Sequence, residues 1–159
     1  GESATAISPG TYTTAKNVHI SQRLLQCIGE VYTIEEDKMD IFTGLAGSGP
    51  AYFYYLMEHM EKVGLKAGLD EKTTRDIIAQ MMMGAAKMVQ EMGEKPLELR
   101  KKVTSPNGTT AAGLEALNQN GGGFAIAQAV LNAARRSKEI SAEFDPSVHE
   151  SILNEKVIN

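Results

Sequence analysis

Ser105, Thr109 and Thr110 place three hydroxyls around a Pro106-Asn107-Gly108 turn that leads into a helical pattern. A helix start carries backbone N–H groups without intrahelical partners and a partial positive charge, so it can hold a carboxylate or phosphate. Gly108 would let a ligand approach the backbone, and Asn107 tolerates a left-handed conformation better than most residues. The threonine hydroxyls can donate as well as accept. A second turn of similar chemistry, Gly47-Ser48-Gly49-Pro50, precedes another helical run. Ser and Thr also cap helices that bind nothing. From the residues alone, a capped helix start and a carboxylate site both stay open.

Neither turn is a P-loop, because no Lys follows the glycines and no strand feeds in; nor does a G-x-G-x-x-G follow a strand, so the chain has no dinucleotide-binding fingerprint. Glu35-Glu36-Asp37 are consecutive and cannot share one helix face, which makes them a solvated turn. Cys27 has no His beside it and reads as a packed thiol. Tyr52, Tyr54 and Tyr55 fit aromatic packing as well as an interface. His19, His59 and His149 are scattered, with no Cys, Asp or Glu at metal-ligand spacing, so no metal site is expected. Arg135, Arg136 and Lys138 read as cations near a helix end, where the dipole favours them.

The elements that must position the two turns are mostly helical. Gly1–Ile7 alternates like a strand, with no partner strand nearby in sequence. Val18, Leu24, Leu25 and Ile28 form a helical stripe that Gly29 would end as a C-cap. Residues 30–36 suit a short extended segment, and residues 37–45 a short helix. The next helix starts at Ser48-Gly49-Pro50, with Phe53, Met57, Met60 and Gly64 on one face and Leu56 and Val63 beside them. Asp70 should cap a long helix carrying Ile77, Ile78, Met81, Met82, Ala85, Met88, Val89 and Met92, ended by Gly93. So broad an apolar arc fits burial among several helices, or sharing between two subunits. A short helix from Pro96 to Val103 follows, then one from Thr109 to Gln119, stopped at residues 120–123. Phe124–Ile140 is the last clear helix, with Ile126, Ala127, Val130, Leu131 and Ala134 inward. Past Ser141 the chain is polar. The fold class is all-α, with about six helices and a minor extended N-terminal piece.

The 159 residues suffice for one ordinary domain. Hydrophobic content of 42% and charged content of 23% are those of a globular protein. A net charge of −4, with both signs mixed, gives no basic face for nucleic acid. No apolar run approaches a membrane span and no signal-peptide pattern appears. A single cysteine favours a reducing compartment, hence a cytoplasmic location.

Taken together, "GLAGSGPAY" (44–52), "GAAKM" (84–88), "VTSPNGTTAAGLEAL" (103–117) and "GGFAIAQAVLNAARRSKEIS" (122–141) resemble the C-terminal half of Δ1-pyrroline-5-carboxylate reductase. The order and spacing agree from about Glu2 to Ser141. The resemblance implies a helical domain that interlocks with a second copy, as in 6-phosphogluconate-dehydrogenase-like reductases. Residues 1–15 would be the junction with a cofactor domain absent from the chain, 16–141 the dimerisation and substrate domain, and 142–159 a tail. It further implies reduction of pyrroline-5-carboxylate to L-proline with NADP or NAD, none of it bound by this chain alone. The partners implied are a second copy, in a dimer or larger oligomer, and a small imino acid, with no nucleic acid or membrane. Ser105, Asn107, Gly108, Thr109 and Thr110 would hold the substrate, Thr110 as the catalytic residue. Gly47, Ser48, Gly49 and Pro50 would lie beside the nicotinamide. Asn107 stands where the family has Gly, and the cofactor domain is missing. Two other readings are a non-catalytic helical dimer module and another NAD(P)-dependent dehydrogenase's C-terminal domain.

Overall fold

The computed structural model describes residues 1–144, in two compact units: Gly1–Pro50 with the segment from Ala127, and Ala51–Ile126. Seven α-helices and two strands make up the described residues. The mostly helical architecture agrees with the sequence.

In the first unit, β1 (Ser3–Ile7) pairs in parallel with β2 (Gly29–Thr33), with Ser3 opposite Gly29 and Ile7 opposite Thr33. Between them runs α1 (Ala15–Leu25), as a parallel pair requires a crossover. Thr14 caps α1 by accepting from the Asn17 amide at 3.3 Å. The strand expected to stand without a partner therefore has one, brought back by the intervening helix. Gly29 is not a C-cap: α1 ends at Leu25, and Gly29 opens β2 with φ of 153°. A Cβ there would lie 2.1 Å from the Ser3 carbonyl oxygen, so strand pairing is what requires glycine.

A 3₁₀ turn (Glu36–Lys38) leads through α2 (Met39–Phe42) into a π turn (Thr43–Gly47) and then α3 (Gly49–Lys66). Gly44 in the π turn meets α7 (Gly122–Phe144): a Cβ would sit 2.5 Å from the Val130 carbonyl oxygen and 3.3 Å from the Ala134 Cβ. The missing side chain lets the two backbones approach closely. Of the α7 residues expected inward, Val130 and Ala134 are half-buried, while Ile126 and Leu131 remain exposed. The helix also begins earlier than expected. Gly121 alone takes a left-handed φ, 72°, so Gly122 and Gly123 are free to be helical. It runs on to Phe144, so Arg135 and Arg136 lie inside the helix instead of near its end. Arg136 pairs with Glu139 at 3.3 Å and Glu143 at 2.8 Å, and Arg135 with Asn132. Most of the polar tail lies outside the described residues.

In the second unit α3 turns back into α4 (Glu71–Met92). Thr74 is 3% exposed and donates to the Asp70 carbonyl at 2.7 Å. Its methyl stands against Gly64, where a Cβ would be 2.4 Å away. Met57, Glu61 and Gly64 are therefore the half-covered line of α3, and Phe53, Met60 and Val63 stay exposed, a rotation from the expected face. Arg75 reaches across to Glu61 at 2.9 Å. Gly93 ends α4 with φ of 62°, as expected from its residue type. Then α5 (Pro96–Lys102) is tied back by Lys102 on Glu94 at 2.6 Å, and α6 (Thr109–Gln119) follows with the bounds expected. Among the described residues only Ile78 and Ala142 are well-buried hydrophobic side chains.

Candidate functional site

The turn between α5 and α6 is built by local chemistry. Val103 ends α5, and Thr104 folds back on it, its hydroxyl donating to the Arg100 carbonyl at 2.7 Å. The Gly108 amide donates to the Ser105 carbonyl at 3.1 Å, closing a four-residue turn. Pro106 supplies a preset φ at its second position, and Asn107 at the third has φ of 58°, the combination of a type II turn. Asn107 is the one non-glycine residue with positive φ among the described residues. Gly108 follows because a Cβ would stand 2.4 Å from Ser105 Oγ.

The N-cap position of α6 is Gly108, which has no side chain to offer, and no other side chain caps the helix. The first amide with an intrahelical acceptor is that of Ala112, on the Gly108 carbonyl at 3.1 Å. The amides of Thr109, Thr110 and Ala111 thus emerge without one. The hydroxyls of Ser105, Thr109 and Thr110 likewise have no hydrogen-bond partner among the described residues, and all three side chains face solvent. Three amides, three hydroxyls and the positive end of a helix dipole meet within one turn. Such a cluster can hold a small carboxylate and have a hydroxyl left for a neighbouring polar atom.

Gly47–Pro50 belongs to the other unit and differs in character. The Ser48 amide donates to the Thr43 carbonyl at 2.8 Å, so this stretch continues a π turn into α3. It is not the free helix start its glycines and proline suggest. Gly49 is buried and Pro50 exposed.

The other polar candidates stand apart. His59 Nδ1 lies 2.8 Å from the Tyr55 carbonyl oxygen, its ring 4.2 Å from that of Tyr55. Cys27 is exposed and not packed; its Sγ lies 3.6 Å from the Arg23 carbonyl oxygen. His149 lies outside the described residues. No group of His, Cys, Asp and Glu able to hold a metal ion occurs among those described. No described helix is long and apolar enough to cross a membrane.

Sequence reading missed a cavity of about 480 Å³ between α3 and α4, lined by Tyr54, Met57, Glu61, Arg75 and Ile78 among others. Glu61 Oε1 is shielded there; Arg75 is within ion-pair distance, off the line needed for a hydrogen bond. Arg75 also pairs with Glu71, and its guanidinium is held above the ordinary value, first by the hydrogen bond to Glu71 and then by the charge of Glu61.

Residues 36–140, which include the α6 turn, match the family described as pyrroline-5-carboxylate reductase dimerisation. The chain belongs to that family. It is 60% identical over 145 residues to pyrroline-5-carboxylate reductase 1 of Bacillus subtilis, covering 91% of this chain and 49% of that protein. It is 38% identical over 141 residues to the Glycine max reductase, covering 89% and 52%. Among solved structures, the Coxiella burnetii reductase superposes with a TM-score of 0.81 at 28% identity, over 86% of this chain and 51% of that one. The Plasmodium falciparum pyrroline carboxylate reductase, solved with NADP bound, gives 0.75 at 28%, over 80% and 52%. The chain thus spans about half the length of the curated relatives it matches.

Proposed function

We propose that this chain is the dimerisation and substrate-binding part of a pyrroline-5-carboxylate reductase, in which pyrroline-5-carboxylate is reduced to L-proline. The observation that carries the reading is the uncapped start of α6, with its unclaimed amides and hydroxyls, in a chain of this family. The substrate has one carboxylate and one ring nitrogen a bond away from its α-carbon. The amides of Thr109, Thr110 and Ala111 and the Ser105 hydroxyl suit the carboxylate. Asn107 and Gly108 shape the backbone on which it rests. Thr110 then hydrogen-bonds the ring nitrogen. A Thr hydroxyl is a poor acid, so its part is to orient the imine and pass on a proton from water. Holding both ends of a small rigid ring supplies catalysis mainly by orientation.

The relatives include a protein solved with NADP, and the reading takes NADP or NAD as the reductant. On this reading the reductant is held by the part of the longer relatives that this chain does not cover, with Gly47–Pro50 assigned to the nicotinamide side. Self-association into a homodimer, and a cytoplasmic location, belong to the same reading. The exposed Phe53, Val63, Ile77 and Met81 are the kind of surface a second copy would cover.

The test is NADPH oxidation by the full-length protein with pyrroline-5-carboxylate, for the native sequence and Thr110→Ala. The variant should lose at least about tenfold in turnover, the low end of a positioned proton-transfer group's contribution. Unchanged kinetics would remove Thr110 from the reaction, and no oxidation by the native protein would remove the reading.

A further inference from the structure

α5 delivers the chain to the turn before α6, and little holds it in place. It has seven residues, too few for a helix to persist on its own. No side chain caps its start, and of its residues only Leu99 is even half-covered. Behind it, Gly93 takes a left-handed φ of 62° with nothing near it, so the joint with α4 offers no packing either.

One contact spans the whole element. Lys102, its last residue, reaches back over about two turns to Glu94, ahead of its first, with Nζ 2.6 Å from the carboxylate. Pairs such as Glu98–Lys101 and Glu71–Arg75 join neighbours on a single helix and brace only that helix. Glu94–Lys102 closes the joint. The Glu94 side chain is 29% exposed against 60% for Lys102, so the carboxylate is the more fixed partner. From Lys102 onward no loose link intervenes. The Val103 and Thr104 amides donate to the Arg100 and Lys101 carbonyls at 3.3 and 3.1 Å, and the Thr104 hydroxyl to the Arg100 carbonyl at 2.7 Å. Ser105 comes next.

We infer that the Glu94–Lys102 pair positions the Ser105 hydroxyl for the substrate's carboxylate. This rests on the proposed binding of substrate at the start of α6. The groups assigned to the carboxylate come from both sides of the turn: the amides of Thr109, Thr110 and Ala111 are fixed by α6, whereas Ser105 is carried by the end of α5. With α5 held, hydroxyl and amides meet one anion together, which is an orientation effect. As a stabiliser of the fold so exposed a pair contributes little. Lys102 is a positioning residue, its ammonium engaged by Glu94 and not by the substrate.

The opposite charges of the two residues give the test its sign, because the substrate is an anion. Acting through charge alone, Glu94→Gln would lower the KM for pyrroline-5-carboxylate and Lys102→Met would raise it. Acting through Ser105, both raise KM at least about threefold, part of the roughly tenfold that a hydrogen bond to a charged group is worth. The double variant is then no worse than either single one. In a Ser105→Ala background neither substitution moves KM further. Lys102→Arg, which keeps the pair, retains the native KM. A damaged fold reads differently: loss of folded protein lowers kcat and leaves KM where it was. The constants are measured by NADPH oxidation with the full-length protein. Opposite signs for the two single variants, an unchanged KM, or a full effect without the Ser105 hydroxyl overturns the inference and leaves substrate binding at α6 standing. A native protein that oxidises no NADPH overturns that reading and the inference with it.

Discussion

Two helices of the same unit, α4 and α6, begin on polar turns and are finished in opposite ways. Before α4, the Asp70 carboxylate accepts the Thr73 amide at 3.0 Å, and the Asp70 carbonyl takes the amide and hydroxyl of Thr74. That hydrogen bond with the Thr73 amide is the first reason the Asp70 carboxyl is held below its ordinary value of 3.8. Before α6, the corresponding position is Gly108, and the first amides go unmet although Ser105 and two threonines are at hand. Ser105 stands over Gly108 instead of over the amides. A helix that only needs to start is closed by a side chain. One left open, in a chain of this family, has room for something that is not part of the chain.

The sharpest way to break that contrast is Thr110→Ala in the full-length protein, with its expected loss of at least tenfold in turnover. Next comes making α6 resemble α4. In a Ser105→Ala background, which removes the oxygen crowding residue 108, Gly108→Asp should cap the helix and put a carboxylate where the substrate's is proposed to bind. Charge repulsion there should raise the KM for pyrroline-5-carboxylate about tenfold over Ser105→Ala alone. An unchanged KM would leave α6 as an ordinary helix start. The smallest effect belongs to α4. Asp70→Ala should lower the thermal midpoint by about 2–4 °C without changing KM. Because the folded-state pKa is depressed, the cap is at full strength above 3.8 and fades as pH falls through the lower, folded-state value. Asp70→Asn, which caps without titrating, should flatten that acid dependence; an equally steep fall would assign it to other carboxylates.

Local signals were legible in the sequence. Asp70, Gly93, the bounds of α6 and the left-handed Asn107 all follow from what a residue does to its own backbone and the next few. The residues of the α6 turn could be named, but not that its helix lacks a side-chain cap, because where Ser105 points depends on the turn's geometry. Misreadings occurred where a distant segment decides. Gly29 looks like a helix stop until Ser3 is placed beside it, and the inward face of α3 is set by where Thr74 and Ile78 arrive. Gly47–Pro50 looks like a helix start because glycine and proline carry that meaning, whereas the preceding π turn supplies the Ser48 amide with its acceptor.

The glycine at the head of β2 also governs how faithfully the small sheet can assemble. A parallel pair of five-residue strands has few contacts with which to tell its proper alignment from one shifted by a residue. Opposite Ser3 there is space for a hydrogen and not for a carbon. With the backbone of residue 29 held at φ of 153°, any side chain there would run into Ser3, so this alignment of the two strands is open to glycine alone. The absent side chain at residue 29 thus ties the register of the pair to one residue type.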